Sequence, residues 1–465
     1  MDEHKTWVDK LFDAIENFLI QYWYWLFIIA FLYVLWRYNA WKGVFALVGT
    51  ILLGWLAWKL WVHYVQQDFI SGIEYVVLEI VPPREVARSP QAMELFISNA
   101  LYHFSFKGGK EEYWQGAVWF WFSLEIASID GQVHFYIRAP SRIKSLIETQ
   151  MYAQYPQAQV KLVEDYTLAV DEITPESDWN GWGCEFKLLK PEAYPIRTYI
   201  DYGLDEDPKE EYKVDPISPV IEFFGSLQKG EQAWMQVVIT PSKKEYKTKG
   251  SWFKKHDWVK ESRVETNKLL APYTRIFTPA PGVPGAVPTL GVYAPVYLTA
   301  TLEKMSKKRD KVGFDAGVRI MYVAKKEIFP PGRRTNNSRN IRLIFRQYEN
   351  PSANGFSRFN STQGDAYGGI ITITSKTVML LANRMLNHFR ERLFFHEPLH
   401  LRIFNKRYLH WPLSLLFHAY FHSQTFVLNA EELATLWHFP GQIMKVPSLE
   451  RIESKEASPP PNLPT

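Results

Sequence analysis

The residues best suited to chemistry are the basic and aromatic side chains between positions 243 and 260. Lysines surround Trp252, Phe253 and Trp258 there, a combination that suits phosphate groups and the bases of single-stranded nucleic acid. Anionic lipid headgroups are a second phosphate-rich partner for such a patch. A solvated surface, balanced by other charges, is the alternative interpretation. The candidate contacts with an anionic partner are Lys243, Lys244, Lys247, Lys249, Trp252, Lys254 and Lys255.

Charge is distributed unevenly along the 465 residues. Residues 1–240 contain 19 Lys and Arg against 32 Asp and Glu, whereas the remaining residues contain 34 against 17. The formal net charge of +4 hides this asymmetry. The basic half therefore favours a phosphate-rich partner, although the acidic half or another subunit balances it equally well.

A histidine motif near the C-terminus has the spacing of a metal site. The string His-Glu-Pro-Leu-His, from His396 to His400, matches the zinc-protease pattern and would imply a membrane metallohydrolase. That chemistry needs both histidines on one face of a continuous helix, and Pro398 disfavours such a helix. His418 and His422 have the same spacing, but a packed or surface pair is the simpler interpretation. We therefore expect no metal ion.

Other catalytic patterns are missing from the sequence. No string matches the phosphate-binding loop G-x-x-x-x-G-K-[ST] or the nucleophile elbow G-x-S-x-G. Cys184 is the single cysteine, which rules out an intrachain disulfide and a cysteine-rich zinc site. The sequence therefore predicts a protein that is not an enzyme and needs no cofactor.

Two apolar stretches near the N-terminus must position the rest of the chain. Residues 18–36 carry no charge, and residues 43–62 carry only Lys59. At about 1.5 Å per residue, each stretch approaches the ~30 Å thickness of a bilayer's hydrocarbon core. The pattern predicts a transmembrane helical hairpin at residues 18–65 after a tail at 1–17. A buried hairpin in a large soluble core is the alternative.

The next segment, residues 66–170, has a regular alternation of strand and helix patterns. A strand is predicted at 74–81, and the Asp130-Gly131 pair is a hairpin signal between two strand-like runs. The predicted order is β-α-β-β-α-β, the split arrangement of ferredoxin-like folds.

The remaining residues predict two further α+β portions. A polar linker at 171–183 precedes a second domain at 183–350, whose basic, proline-rich insertion at 241–295 has a loop-like pattern. A C-terminal α+β portion follows at 370–446, before a proline-rich tail at 447–465. The predicted fold class is α+β, with a transmembrane hairpin followed by ferredoxin-like and related α+β sandwich domains.

Three separated blocks resemble one protein family. The segment FVLNAEELATLWHFPG at 426–441 resembles the region just before the motor domain of TraG/HerA-like conjugation ATPases, which drive type IV secretion. LEIVPPREVARSPQAMELFISNAL and WFSLEIASIDGQVHFYIRAP are similar to the membrane-proximal region of those proteins. The resemblance covers residues 72–464 and implies a cytoplasmic body. The sequence ends at Thr465, where the nucleotide-binding domain of those motors would begin, so no motor residue has a counterpart here.

This resemblance implies a non-catalytic scaffold or adaptor, anchored in the cell membrane by two spans, that positions a separate ATPase subunit. Trp437 and His438 are the candidate contacts with that motor, whereas Leu433 and Leu436 are expected to pack in the core. Because the related motors assemble as rings, a homo-oligomer is expected. The alternative function is a membrane-associated protein that binds nucleic acid through the basic and aromatic patch.

Overall fold

The structure, a computed structural model, gives the positions of most of the chain. The described residues are 33, 37, 41–83, 86, 88–102, 108–205, 214–242, 246–247, 255–277, 289–329, 340–341, 343–351, 353–362, 375–395 and 423–441. They belong to two compact units. The first contains Met1–Ile70 and Gly108–Ala117, and the second contains Ser71–Lys107 and Val118–Thr465.

The helices form mostly where apolar residues recur at helical spacing. In chain order they are α1 (Trp41–Ser71), α2 (Gln91–Phe96, continued by a π-helical turn at Ile97–Leu101), α3 (Gly109–Trp114), α4 (Lys144–Gln154), α5 (Ser218–Gly225), α6 (Trp258–Leu270), α7 (Val296–Asp310), α8 (Ser375–Glu391) and α9 (Ala430–Leu436). Short 3-10 helices lie at Ser141–Ile143, Tyr166–Ala169, Tyr199–Tyr202, Ala271–Tyr273 and Leu343–Tyr348.

The strands are rich in β-branched and aromatic residues, as expected for pleated, buried surfaces. They are β1 (Tyr75–Val81), β2 (Phe122–Ile129), β3 (Gln132–Pro140), β4 (Gln159–Val163), β5 (Trp179–Leu188), β6 (Glu231–Pro241), β7 (Tyr246–Lys247), β8 (Lys255–His256), β9 (Thr274–Phe277), β10 (Thr289–Val292), β11 (Gly313–Lys325), β12 (Phe356–Phe359) and β13 (Phe426–Asn429).

One large antiparallel sheet dominates the second unit. Its order is β12-β5-β11-β6-β2-β3-β1-β4, and β13 pairs with the start of β11. Each half has the same strand order from its outer edge to the centre of the sheet. The first half reads β4-β1-β3-β2 and the second reads β12-β5-β11-β6, so in both the fourth of these strands along the chain is at the edge, followed by the first, the third and the second. The central strands β2 and β6 are antiparallel. The two halves are therefore related, in topology, by an approximate twofold axis perpendicular to the sheet.

The first half contains β1, α2, α3, β2, β3, α4 and β4 in chain order, so an additional short helix, α3, lies within the predicted β-α-β-β-α-β order. Asp130 and Gly131 form the β2–β3 turn with φ of 54° and 84°, the left-handed values that a two-residue hairpin requires. The predicted separation of two domains by a linker at 171–183 is wrong. β5 already begins at Trp179, and β2 pairs directly with β6, so the two halves share one sheet.

Helices cover both faces of this sheet. On one face, Trp437 after α9 contacts Phe135, and Ser128 donates a hydrogen bond to a carbonyl oxygen of α5. On the opposite face, Phe389 of α8 packs against Trp234 with ring centroids 5.3 Å apart. The fold class is therefore α+β, as predicted, with a central antiparallel sheet between two helical layers.

The first unit contains the apolar helix α1. In the described part of the chain, one helix is long and apolar enough to cross a membrane. It covers Lys42–Ser71, with a mean hydropathy of 1.7 and none of its most apolar window buried. It includes the predicted second span at 43–62. The predicted first span at 18–36 lies outside the described residues, apart from Tyr33, which is helical.

The insertion predicted to be loop-like contains regular structure. Its described parts are the β7–β8 pair, the thirteen-residue helix α6 and the β9–β10 hairpin. Asp257 caps α6 by accepting hydrogen bonds from the amides of Val259 and Lys260. The prolines and lysines that suggested a loop are concentrated between these elements.

Candidate functional site

A single row of side chains crosses the sheet on the face that α8 covers. Each member is the register partner of the next one on the neighbouring strand, so all project from the same face. From β4 to β12 the row is Lys161, Glu79, Tyr136, Glu125, Gln236, Arg319, Glu185 and Phe359. Burying charged groups is costly unless they are paired, so this polar row is the candidate functional site.

The carboxylate of Glu125 lies at the centre of the row and is fully saturated. Arg392 approaches it in a bidentate arrangement, with Nε 2.9 Å from Oε1 and Nη2 3.1 Å from Oε2. Ser123, Tyr166 and Gln236 donate three more hydrogen bonds to the same group at 2.5, 2.8 and 2.9 Å. All five side chains are buried or nearly so. The carboxylate therefore has no remaining lone pair for a substrate or a metal ion.

Arg392 holds a second carboxylate and the end of α8 at the same time. Its Nη1 lies 2.5 Å from Oδ2 of Asp165 and 2.6 Å from the carbonyl oxygen of Arg390. Arg392 comes directly after α8 and has φ of 53°, a left-handed conformation in which glycine is usual. The ion pairs supply an interaction that an ordinary glycine helix end lacks.

Arg319, in the second half of the row, holds the segment after α8. Its Nη2 lies 3.0 Å from Oε1 of Glu185 and 2.6 Å from the carbonyl oxygen of Leu393. Its Nη1 donates to the carbonyl oxygen of His388, and its guanidinium carbon lies 3.9 Å from the ring centre of Phe394. The second arginine therefore fastens the same segment as the first.

Besides Arg319, Glu185 has two further hydrogen-bond donors. Asn360 donates to it at 2.8 Å, and Ser423 donates at 2.8 Å from a distant part of the chain. Ser423 begins a described stretch of the chain, and Asn360 lies two residues before the end of another. The polar row therefore fixes the ends of several chain segments on one face.

Burial and charge act in opposite directions on these groups. Burial would lower the pKa of Arg392, but Glu125 and Asp165 outweigh it, and the pKa is raised. Burial would raise the pKa of Asp165, but Arg392 outweighs it, and the pKa is lowered. Burial lowers the pKa of Arg319 to about 10 against the effect of Glu185, so the guanidinium is charged at neutral pH. The row is a set of fixed ion pairs that orders the chain.

The end of the row near β4 is the part that reaches solvent. His134 Nδ1 lies 2.7 Å from Oε1 of Glu79, and these side chains are 18% and 12% exposed. The hydrogen bond from His134 lowers the pKa of Glu79 against the effect of burial. The His134 ring stacks on Tyr136, which stacks on Tyr166. This is the one place in the described row where a histidine partners a carboxylate.

Trp437 and His438, the predicted contacts with a motor, lie in the core. Both are fully buried. Trp437 Nε1 donates to the carbonyl oxygen of Glu125 at 3.1 Å, and His438 Nε2 lies 2.9 Å from Oδ1 of Asp215. The prediction of a motor contact is therefore wrong for these two side chains, because partners within the chain occupy them. Leu433 and Leu436 are buried, as predicted.

The strand and helix that precede Trp437 are tied down by a buried ion pair. Asn429 caps α9 and forms a capping box with Glu432. Lys308 Nζ lies 3.0 Å from Oε2 of Glu432, and both side chains are almost completely buried. Glu432 also accepts a hydrogen bond from the amide of Ile196 at 2.9 Å. The predicted cap at Asn429 is confirmed.

Most of the predicted anionic-partner contacts lie outside the described residues. Lys243, Lys244, Lys249, Trp252 and Lys254 are in this group. The two remaining lysines are described by their backbone: Lys247 of β7 and Lys255 of β8 are direct register partners. The described structure therefore brings two of the predicted lysines together on a β-ribbon.

The histidine motifs also fall outside the described residues. His396, His400, His418 and His422 are not described, so the expectation that they hold no zinc stays a prediction. Among the residues that the structure does describe, no group of three or more His, Cys, Asp or Glu side chains is arranged to hold a metal ion.

Arg392 gave no sequence signal as a partner of Glu125, because 267 positions separate them. The available clue was Glu125 itself, a carboxylate within the apolar strand FSLEIASI. Such a residue on a buried strand needs a cation, but the sequence does not say which of the many arginines supplies it.

Comparison with known families gives a match over most of the chain. The sequence model of a family described as "Domain of unknown function (DUF8128)" matches residues 120–450, more than two thirds of the chain. The matched region contains Glu125, Gln236, Arg319, Glu185 and Arg392, so it includes the centre of the polar row. No curated protein matches the chain significantly.

Proposed function

The chain belongs to the DUF8128 family, and we propose that it is a non-catalytic membrane scaffold whose cytoplasmic body positions a separate ATPase. The observation that carries this proposal is α1, an apolar helix of 31 residues in whose hydrophobic window no residue is buried. In water such a helix would expose a large apolar area, whereas a bilayer covers it. In this proposal residues 18–36 form a second span.

The interior of the body supports a structural role. Glu125, Glu185 and Glu432 are buried carboxylates, and each has a buried cation as a direct partner. These pairs join sheet, helices and C-terminal segments into one unit. We interpret each half of the sheet as a ferredoxin-like unit, which makes the body a fused pair of such units. A rigid platform of this kind suits the docking of another subunit.

The resemblance to TraG/HerA-like motors supports the choice of an ATPase as the partner. Its most specific block, residues 426–441, is buried except at its last residue, Gly441. A resemblance in buried residues favours a shared fold of the region before the motor, and a motor would then dock elsewhere on the body. Assembly into a homo-oligomer is part of the same proposal.

The test is purification of the full chain from native membranes in a mild detergent. We expect a separate ATPase to co-purify in a fixed ratio, and ATP hydrolysis to disappear when that subunit is removed. A parallel wash with alkaline carbonate should leave the chain in the membrane pellet. The proposal is wrong if the isolated chain hydrolyses ATP, or if the complex contains no ATPase.

The second candidate function, binding of nucleic acid, is favoured by the β7–β8 ribbon. Like charges on directly paired strand positions are unfavourable, so the Lys247–Lys255 pairing favours an anionic partner nearby. The test is binding of a fluorescent oligothymidine to the full chain. Each lost phosphate contact should reduce the slope of log K against log salt by about 0.7.

Two double variants that remove the same charge distinguish a specific contact by the ribbon from a general effect of positive charge on binding. Lys247→Ala with Lys255→Ala should weaken binding and reduce the salt slope. Lys268→Ala with Lys307→Ala removes two exposed lysines elsewhere and should leave both unchanged. Equal effects from the two double variants, or no binding at low salt, would exclude a role for the ribbon.

A further inference from the structure

Residues 108–117 form a small aromatic projection that belongs to the anchor unit and not to the body unit. They are far from α1 in sequence, yet they cluster with Met1–Ile70. They contain α3, a six-residue helix with the sequence GKEEYW. This segment was not singled out by its sequence, because it is short and half polar.

α3 places two aromatic rings against the tryptophans at one end of the apolar stretch of α1. Trp114 lies 6.2 Å from Trp58 and 6.0 Å from Trp61, and Tyr113 lies 6.0 Å from Trp58, measured between ring centroids. We call these four residues the aromatic collar. Their rings meet edge-on or tilted, which is a favourable geometry for aromatic pairs.

The collar is exposed although its members touch one another. Trp58, Trp61, Tyr113 and Trp114 are 43%, 41%, 39% and 61% exposed. An ordinary aromatic cluster in a soluble protein buries such rings against a core. Four large aromatic side chains left on a surface together indicate an external partner.

The depth of the collar matches a membrane interface. Along an α-helix, Trp61 lies about 30 Å from Trp41, which is the thickness of one hydrocarbon core. Between them the helix is apolar except for Lys42 and Lys59, which lie near the two ends of the stretch, and beyond Trp61 it continues with His63, Gln66, Gln67 and Asp68. Tryptophan and tyrosine are enriched at this boundary, where the ring meets acyl chains and its polar group meets headgroups.

A glycine fixes this depth. Gly116 has φ of 69°, and a Cβ atom there would lie 1.9 Å from the carbonyl oxygen of Val65. The chain after α3 therefore lies directly against the backbone of α1. The position of Tyr113 and Trp114 along α1 is set by this contact and not by flexible side chains alone.

We infer that residues 108–117 are a second membrane contact, an interfacial clasp that inserts Tyr113 and Trp114 into the headgroup region of the same bilayer that α1 spans. This inference rests on the proposed membrane anchoring. The partner is the lipid interface. The clasp limits the tilt and rotation of α1 in the membrane.

The test reconstitutes the full chain in liposomes and measures the depth of a dye. Cys184 is buried, so a thiol introduced at the surface is the one that a maleimide dye labels under native conditions. Trp114→Cys and, separately, Tyr113→Cys report on the clasp. Leu52→Cys, in the middle of the apolar stretch, and Gln67→Cys, on its polar extension, are the references. Nitroxide lipids labelled near the headgroup or deep in the acyl chain quench the dye.

We expect the clasp positions to be quenched more by the shallow nitroxide than by the deep one. Leu52→Cys should show the reverse, and Gln67→Cys should be quenched least. If Leu52→Cys shows deep quenching but neither clasp position is quenched, the clasp is wrong while the anchor stands. A blue-shifted dye without quenching at positions 113 and 114 shows that protein, from this chain or from a second copy, covers them, and it also overturns the clasp. Absence of quenching at Leu52→Cys contradicts the membrane anchor itself.

Discussion

We expect the loss of Arg392 to cause a large fall in stability, because Arg392 forms ion pairs with two carboxylates inside the body. Arg392→Met leaves Glu125 buried without its cation, and Asp165 loses the same partner. Breaking a buried pair from one side costs about 3–5 kcal/mol. We expect a large fall in the free energy of unfolding, measured by thermal and urea unfolding of the purified full chain in detergent.

A surface ion pair provides the control for this change. Lys268 pairs with Glu265 at 3.3 Å, but the lysine side chain is 69% exposed. Lys268→Met should change stability by less than about 1 kcal/mol. Adding Glu125→Gln to Arg392→Met should recover part of the loss. If Arg392→Met and Lys268→Met behave alike, the polar row does not stabilise the body.

Gly317 offers a second test at the same scale, because it makes room for the ring that Arg319 covers. A Cβ atom at this position would lie 2.3 Å from Cδ1 of Phe394. Gly317→Ala should push this ring away and cost about 1–3 kcal/mol, as overpacking usually does. Gly441→Ala meets open space and is the control. Equal melting temperatures for the two variants would show that the segment after α8 shifts without cost.

Single residues were predictable from the sequence where the cause is local. The Asp130-Gly131 turn and the cap at Asn429 follow from backbone chemistry within a few positions, and both are found. Trp437 and His438 look like surface residues beside a polar tail, yet Phe135 and Asp215 cover them. Burial by residues far away in the chain gives no signal in the neighbouring sequence. The prediction that Trp437 and His438 contact a motor was therefore wrong.

At the scale of elements, the segment after α9 is held by a carboxylate that titrates in acid. Burial would raise the pKa of Asp215, but His438 and the amides of Ile217 and Gly441 outweigh it, and the pKa is lowered. A lowered pKa stabilises the fold above the unfolded value of about 3.9. The stabilisation is lost as the pH falls through the lower folded value.

We therefore expect Asp215→Asn to reduce stability most near neutral pH and least in strong acid. The measurement is the melting temperature of both proteins from neutral pH to about pH 2. The two curves should converge as the pH falls, since protonated aspartate and asparagine are then similar. Parallel curves would mean that this ion pair contributes nothing to the attachment of the segment after α9.

β5 shows why the first residues of a strand can be assigned to a linker. Its first half, WNGWG, reads as a polar, glycine-containing linker. In the structure those glycines admit neighbours: a Cβ atom at Gly181 would lie 2.8 Å from Ile173, and one at Gly183 would lie 2.7 Å from Met385. A glycine that allows close packing looks the same in sequence as a glycine in a loop. The insertion at 241–295 was misread for a related reason, since its prolines hid α6 and two short β-pairs.

At the scale of the whole molecule, the symmetry of the sheet shows that the body unit consists of two similar halves joined in one sheet. Two halves with the same strand order meet through β2 and β6, and one polar row runs from Lys161 to Phe359 across both. Periodicity predicted the strands of the first half but not the pairing of β2 with β6, which lies more than a hundred positions further along the chain. The row also joins the two halves across the pairing of β2 with β6, which we call the central seam. Arg392 and Arg319 hold the segment after α8 from opposite sides of this seam.

Shared burial at this seam predicts that the two halves unfold as one. Val237 of β6 is fully buried and is the register partner of Leu124 in β2. Val237→Ala should cost about 2 kcal/mol by leaving a cavity at the seam. We expect amide hydrogen exchange, followed by mass spectrometry on the full chain, to accelerate equally in peptides from β3 and from β5. Those strands lie in different halves, so an independent second half would show acceleration in β5 alone. In that case the polar row would be a contact between two separate domains, and the body could not act as a single platform for a partner.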